Sequence, residues 1–94
     1  MAPRIANRDS APFIAARKPF TGSNFYGTTY GTHFGRLPRD WQATFYSDKP
    51  EYVVYSYATP VAWFGRNGWT VPDVKYSPST GRQQSYVRAA MRSI

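Results

Sequence analysis

One dipeptide narrows the fold more than any other feature of this chain. Asn67-Gly68 sits between the apolar runs Val61-Ala62-Trp63-Phe64-Gly65 and Trp69-Thr70-Val71-Pro72-Asp73-Val74. Asn-Gly adopts the left-handed backbone that a two-residue hairpin loop demands, so the two runs are expected to pair antiparallel. Arg66 then opposes Trp69, Phe64 opposes Val71 and Trp63 opposes Pro72. With Arg66 and Trp69 as the hydrogen-bonded pair closing the loop, Trp63 and Pro72 form a non-hydrogen-bonded pair, and the N–H that Pro72 lacks would have pointed outward. Strand 69–76 is thus expected at an edge, guarded by Pro72, Asp73 and Lys75. Upstream, Glu51-Tyr52-Val53-Val54-Tyr55-Ser56-Tyr57 has the densest β propensity in the chain and is expected to be the central strand, with Thr59-Pro60 interrupting it.

Two helices and a glycine-punctuated segment complete the pattern. Between residues 25 and 35, alternation places Tyr26, Thr28, Tyr30, Thr32 and Phe34 on one face and Gly27, Thr29, Gly31, His33 and Gly35 on the other. The bare face lets a helix or a backbone approach closely, or else the glycines mark a turn or bulge that splits the segment. Leu37, Trp41, Thr44 and Phe45 recur at helical spacing, with Pro38 suited to the first helical position and Asp40 to the first turn; Asp48-Lys49-Pro50 ends this short helix near residues 38–47. From Thr80 to Ile94, Gln83, Val87, Ala90, Met91 and Ile94 share a helical face beside Tyr86, and Ser77 and Ser79 are candidate N-caps. Arg88 and Arg92 lie on the opposite side, Arg82 joins them from the next turn, and no acid follows Asp73.

The core that these elements share must be aromatic, because one Leu, three Ile and six Val stand against seventeen Phe, Trp and Tyr. No cysteine is present, which removes disulfides, thiolate chemistry and Cys-ligated zinc together. At 94 residues, a chain buries roughly 60 to 65% of its unfolded surface, enough for one modest core and not for a two-domain enzyme. Residues 1–18, with Arg4, Arg8, Arg17 and Lys18 against Asp9 and no periodicity of either kind, read as a basic N-terminal arm, solvated and free to be flexible. Residues 19–94 form a single α+β domain. Its expected architecture is a small antiparallel sheet of about four strands with a short helix and a C-terminal helix packed on it.

Chemistry is scarce in this inventory. One histidine, one glutamate and four aspartates show neither a paired-carboxylate arrangement nor metal-ligand spacing, and nothing orders His33 into a catalytic triad. A lone histidine on a strand is expected to be structural. The glycine spacing at 27, 31 and 35 lacks the Lys and Ser/Thr of a phosphate loop. No enzyme, no cofactor, no metal and no small-molecule substrate is expected. The longest wholly apolar runs, Phe13 to Ala16 and Val61 to Phe64, fall far short of the ~20 residues that cross a bilayer, and the first residues carry no apolar stretch of signal-peptide length. The expectation is a protein that stays in the cell that makes it.

A resemblance adds to this reading. Tyr52-Val53-Val54-Tyr55-Ser56-Tyr57-Ala58-Thr59-Pro60-Val61-Ala62-Trp63, then Gly68-Trp69, Val74-Lys75-Tyr76-Ser77 and the stretch from Gln84 to Ala89 resemble a family of small uncharacterised proteins from bacteriophages of actinobacteria, the mycobacteriophage type. Pro19-Phe20-Thr21-Gly22-Ser23-Asn24 and Gly35-Arg36-Leu37-Pro38 are similar to it as well. The family's pattern carries Thr-Thr and a histidine near the start of the last helix, where this chain has Ser79, Thr80 and Gln83, so no catalytic residue is carried over. The resemblance implies a phage origin and the host bacterial cytoplasm, with function unknown.

A formal charge of +7 then frames the partner. In one reading Arg82, Arg88 and Arg92, with Arg66 and the arm residues Arg4, Arg8, Arg17 and Lys18, contact phosphates, while exposed aromatics such as Trp69 or Tyr57 stack on bases. No helix-turn-helix, zinc-finger or RNA-recognition signature is present, so such binding has little sequence specificity. In a second reading the protein is a host-directed modulator whose aromatic and arginine surface binds an acidic bacterial protein. The sign of the charge argues against DNA mimicry. A third reading is a minor virion or assembly component. A homodimer is permitted by an edge strand and exposed aromatics but not demanded by them.

Overall fold

The computed structural model describes residues 2–29, 33, 35–72 and 78–92, the last stretch by backbone alone as far as residue 80. After a 3-10 turn at Asn7–Asp9, the elements are α1 (Ala11–Ala15), β1 (Phe20–Thr21), β2 (Phe25–Thr28), α2 (Arg39–Asp48), β3 (Tyr52–Ser56), β4 (Thr59–Gly65), β5 (Gly68–Thr70) and α3 (Pro78–Arg92). The strands form one antiparallel meander in the order β1-β2-β3-β4-β5. The class is α+β, and the sheet has five strands rather than about four. The additional strand is the two-residue β1, too short to announce itself by alternation.

Tyr-Val-rich β3 lies at the centre, as its β propensity predicts, and all five of its residues are buried. Burial on both sides explains why it reads as a continuous apolar run rather than an alternating one. Tyr52 and Val54 face a core with Ile14, Phe20, Phe25, Ala62, Val87 and Ala90. Val53 and Tyr55 face another with Leu37, Phe45 and Trp63, bordered by Tyr26 and Trp41. Helix α2 therefore covers one side of the sheet, with α1 and α3 on the other. Aromatic edges do the packing: the Phe45 ring meets Trp63 edge-on at 5.0 Å and Trp41 meets it at 6.3 Å.

The N-terminal segment departs from the expected arm. Ile14 and Ser10 are fully buried, Phe13 packs on the core, and the backbone of residues 3–5 runs along β1, Ile5 N–H donating to Thr21 O at 2.9 Å and Thr21 N–H to Pro3 O at 2.8 Å. A five-residue helix is too short to show periodicity, and its partners Phe20 and α3 are distant in sequence, so only the folded chain reveals the contact. Arg4, Arg8, Arg17 and Lys18 nonetheless stay exposed on its outer side.

Helix α2 begins one residue later than expected, with extended Pro38 as its N-cap, and ends at Lys49 in the left-handed region before Pro50. Thr59-Pro60 does not interrupt a strand but opens β4 after a two-residue turn at Tyr57-Ala58. Pro60 is tolerated because β5 pairs only as far as Trp63–Thr70, leaving β4 locally an edge. Opposite Val54 and Tyr55 the register slips by one, Val61 being the extra residue of a bulge.

The second hairpin forms with a corrected register. Gly65 pairs with Gly68, Phe64 with Trp69 and Trp63 with Thr70, so the loop residues are Arg66 and Asn67 rather than Asn67 and Gly68. Neither Arg66 nor Asn67 has positive φ, whereas Gly68 sits at +86°, the arrangement in which a turn is followed by a left-handed glycine. Asp48 imposes the choice, for its carbonyl accepts the Arg66 N–H at 2.7 Å and its Oδ1 accepts the Asn67 amide at 2.8 Å. Strand β5 is indeed an edge, ending at Thr70; Asp73 and Lys75 of the expected edge guard lie outside the described residues. The proposed caps of α3, Ser77 and Ser79, and its Ile94 also lie outside what is described of side chains, while Gln83, Val87 and Ala90 are buried as expected.

Candidate polar cleft at the first hairpin

Three loops meet at the Ser56–Thr59 end of the sheet. The loop between β1 and β2 turns at Gly22-Ser23-Asn24, with Asn24 in the left-handed region at φ 53°. Asn7 pins this loop, donating Nδ2 to Ser23 O at 3.1 Å and accepting the Ser23 N–H on Oδ1 at 2.8 Å. A β-carbon at position 22 would run into the Asn7 side chain and come within 2.8 Å of Phe25 O, so glycine is required for this closeness.

Beside it, Tyr57 and Ala58 form the β3–β4 turn with φ of 51° and 65°. Two consecutive left-handed residues suit the twist of a two-residue hairpin, yet each carries a β-carbon that disfavours them. The turn is held from both sides: Tyr57 N–H donates to Asn24 O at 3.0 Å, and the Ser56 hydroxyl donates to Gln83 Oε1 of α3. Gln83 also reaches Ser23 O through Nε2 at 3.4 Å. These contacts enclose a cleft of about 210 Å³ lined by Asn7, Ser23, Asn24, Tyr57, Arg82, Gln83 and Tyr86. Among the described residues its lining has one cation, Arg82, and no carboxylate. Tyr57 is 54% exposed, one of two large hydrophobic side chains so exposed among the described residues, with Tyr46 the other.

The remaining candidates scatter. Arg88 and Arg92 are exposed on α3, but six residues of helix set Arg88 about 120° around the axis from Arg82, so the three arginines do not form one face. At the other end of β3, Arg17 stacks 4.2 Å over the Phe64 ring, and the Lys18 carbonyl accepts the Tyr52 hydroxyl at 2.8 Å. Burial pushes the Tyr52 phenol well above its ordinary range. Trp69 is not the exposed stacking platform expected of it. Half-buried, it is wedged edge-on against Phe64 at 5.5 Å and Tyr52 at 6.0 Å, and its buried indole N–H has no partner among the described residues. Arg66 is exposed on the second turn, and Arg4 and Arg8 are exposed on the outer side of the N-terminal segment.

His33 is exposed and ends an aromatic stack. Its ring lies 4.3 Å from that of Tyr55, which stacks in turn on Tyr26 at 5.0 Å. Its Nε2 is hydrogen-bonded to the Tyr26 hydroxyl at 3.3 Å, and its carbonyl accepts the Tyr55 hydroxyl at 3.0 Å. Burial pushes the Tyr55 phenol up to about 12. Among the described residues no three His, Asp or Glu side chains gather to hold a metal ion, and no helix is long and apolar enough to cross a membrane.

Sequence reasoning picked out Arg82 and Tyr57 but not Asn7, Ser23, Asn24 or Gln83 as their neighbours. The Thr21-Gly22-Ser23-Asn24 cluster carried a turn signal, whereas nothing local in Tyr57-Ala58 announces a turn. No curated protein and no solved structure matches the chain. A family described as "Family of unknown function (DUF8033)" matches residues 9–88, which take in the whole sheet, α1, α2, most of α3 and every cleft residue except Asn7. With a match of that extent, the chain belongs to this family of unknown function.

Proposed function

We propose that the protein is a small, non-enzymatic, basic accessory protein of a bacteriophage, acting in the host bacterial cytoplasm by associating with nucleic acid with little sequence specificity. The surface charge carries this reading. All eleven described Lys and Arg side chains are exposed, against three exposed carboxylates, Asp9, Asp40 and Glu51; Asp48 is buried and spent on internal hydrogen bonds. A shell of that sign releases counterions from a phosphate backbone on binding. Fluorescence anisotropy against single-stranded DNA, duplex DNA and RNA across salt tests it. The expected result is micromolar or tighter binding near physiological salt, with a log-log slope of several counterions, weakened by Arg88→Glu with Arg92→Glu. Binding that appears only at low salt and ignores the arginines overturns it.

A second reading, a modulator of an acidic host protein, is favoured by a different place on the molecule. Arg17 over Phe64, beside Trp69, joins the residue types that anchor protein interfaces. Capture of an acidic host protein that is lost on Arg17→Ala, together with a failure to bind nucleic acid, would decide for it.

A further inference from the structure

We infer that the Tyr57–Arg82 cleft is a single-strand site, in which Tyr57 stacks on an unpaired base while Arg82 holds a neighbouring phosphate. This rests on the nucleic-acid reading and narrows it to one place and one ligand class. Three observations converge. Tyr57 is 54% exposed, whereas every other described Phe, Tyr or Trp except Tyr46 is buried or half-buried. The ring is presented by a turn whose two residues both hold left-handed φ without being glycine, a costly conformation of the kind concentrated at binding sites. That turn is braced by Asn24 O and, through Ser56, by Gln83, so the ring is positioned before any ligand arrives.

The chemistry of the lining then selects the ligand. Arg82, with no carboxylate beside it among the described lining residues, favours an anion, Tyr57 favours a planar π-face, and the exposed amide of Asn24 supplies a donor and an acceptor. A nucleotide joins an anion to a planar ring. At about 210 Å³ the cleft is smaller than the roughly 300–1,000 Å³ of a whole small-molecule site, which suits one splayed base and not a duplex, whose bases are already stacked on one another. Stacking on one tyrosine is also indifferent to base identity, in keeping with low sequence specificity.

The test compares a labelled oligothymidylate of roughly 16 nucleotides with a duplex of equal length. Asn tolerates left-handed φ better than Tyr, so Tyr57→Asn keeps the turn and removes only the ring; thermal melting confirms that it folds. Tyr57→Asn is expected to weaken single-strand binding about tenfold or more and leave duplex binding unchanged, with Tyr57→Phe restoring it. Arg82→Gln is expected to reduce the single-strand salt slope by about 0.7. If Tyr57→Asn binds the oligothymidylate as wild type does while reversal of Arg88 and Arg92 weakens both probes, the cleft assignment is wrong and the general reading stands. If the wild-type protein binds neither probe near physiological salt, both fall.

Discussion

Two of the tight turns in the meander are built on opposite principles. At the β4–β5 turn, Arg66 and Asn67 keep ordinary negative φ, and the one left-handed position, +86°, is filled by Gly68, with no atom near enough to resent a side chain. At the β3–β4 turn both left-handed positions are filled by residues with side chains, Tyr57 and Ala58. The first turn obeys local backbone preference and is then drawn down by Asp48. The second is sustained against local preference by Asn24 and Gln83, which belong to other elements. The turn that costs the most locally is the one that bears the exposed ring and borders the cleft. A binding role for that ring gives the cost a reason.

Asp48 is the first place to break the comparison. Its buried carboxylate accepts from Trp63 Nε1 at 2.9 Å, Asn67 Nδ2 at 2.8 Å and Thr70 Oγ1 at 3.2 Å, tying α2 to both strands of the second hairpin. Asp48→Ala strands the Trp63 indole N–H in the interior and is expected to cost about 3 kcal/mol in urea unfolding. A loss below ~1 kcal/mol would mean that the β4–β5 turn holds its register without α2. Desolvation works to raise the carboxyl's pKa, but the three side-chain hydrogen bonds and the Arg66 charge outweigh it, holding the group below the usual carboxylate range. A depressed folded pKa contributes stability that is fully present above the unfolded value of ~3.9 and is lost as pH falls through the folded value. Unfolding followed from pH 5 downward should therefore show an acid limb that Asp48→Asn flattens.

The same exchange between glycine and alanine, made at each turn, should then act with opposite sign. Gly68→Ala forces a β-carbon onto φ +86° in open space, so its cost is purely conformational, about 1–2 kcal/mol. Ala58→Gly relieves φ +65° and is expected to stabilise by roughly 0.5–1 kcal/mol, less than the relief itself because glycine gains freedom in the unfolded chain. Equal signs in the two urea midpoints would erase the distinction between the turns. Of similar size, Gly81→Ala in α3, where a β-carbon meets nothing and φ is not positive, should stabilise by about 0.5–1 kcal/mol and leave oligothymidylate binding unchanged, which sharpens the assignment of any binding loss to Tyr57 and Arg82.

Elements whose pattern repeats within a few residues were legible. The Trp41 and Phe45 stripe of α2, the central place of β3, and the Gln83, Val87 and Ala90 face of α3 follow from periodicity and β propensity, since helical and extended backbones put those residues on one side regardless of the neighbour, whereas Leu37 joins the same core from ahead of the helix. The N-terminal segment was not legible, because Ile14 is buried in one cluster with Phe20 of β1 and Val87 and Ala90 of α3, and five residues carry too little pattern to foretell it. The second hairpin was legible as a hairpin but not in register, because Asn-Gly supports either a two-residue left-handed loop or a turn capped by a left-handed glycine. The choice belongs to Asp48, almost twenty residues upstream.

Composition and short-range pattern by themselves determined an α+β domain with an aromatic core, no disulfide, and a basic exterior, for these depend only on residue types and on spacings that one turn of helix or one strand enforces. Only the tertiary structure decided which loops meet. The cleft joins residue 7 to residues 23, 57 and 82, and no local rule links positions so far apart. The tertiary contacts of Asn24 and Gln83 also hold Tyr57 in a left-handed turn that its own sequence disfavours, because the free energy gained from packing and hydrogen bonds elsewhere exceeds what that backbone costs.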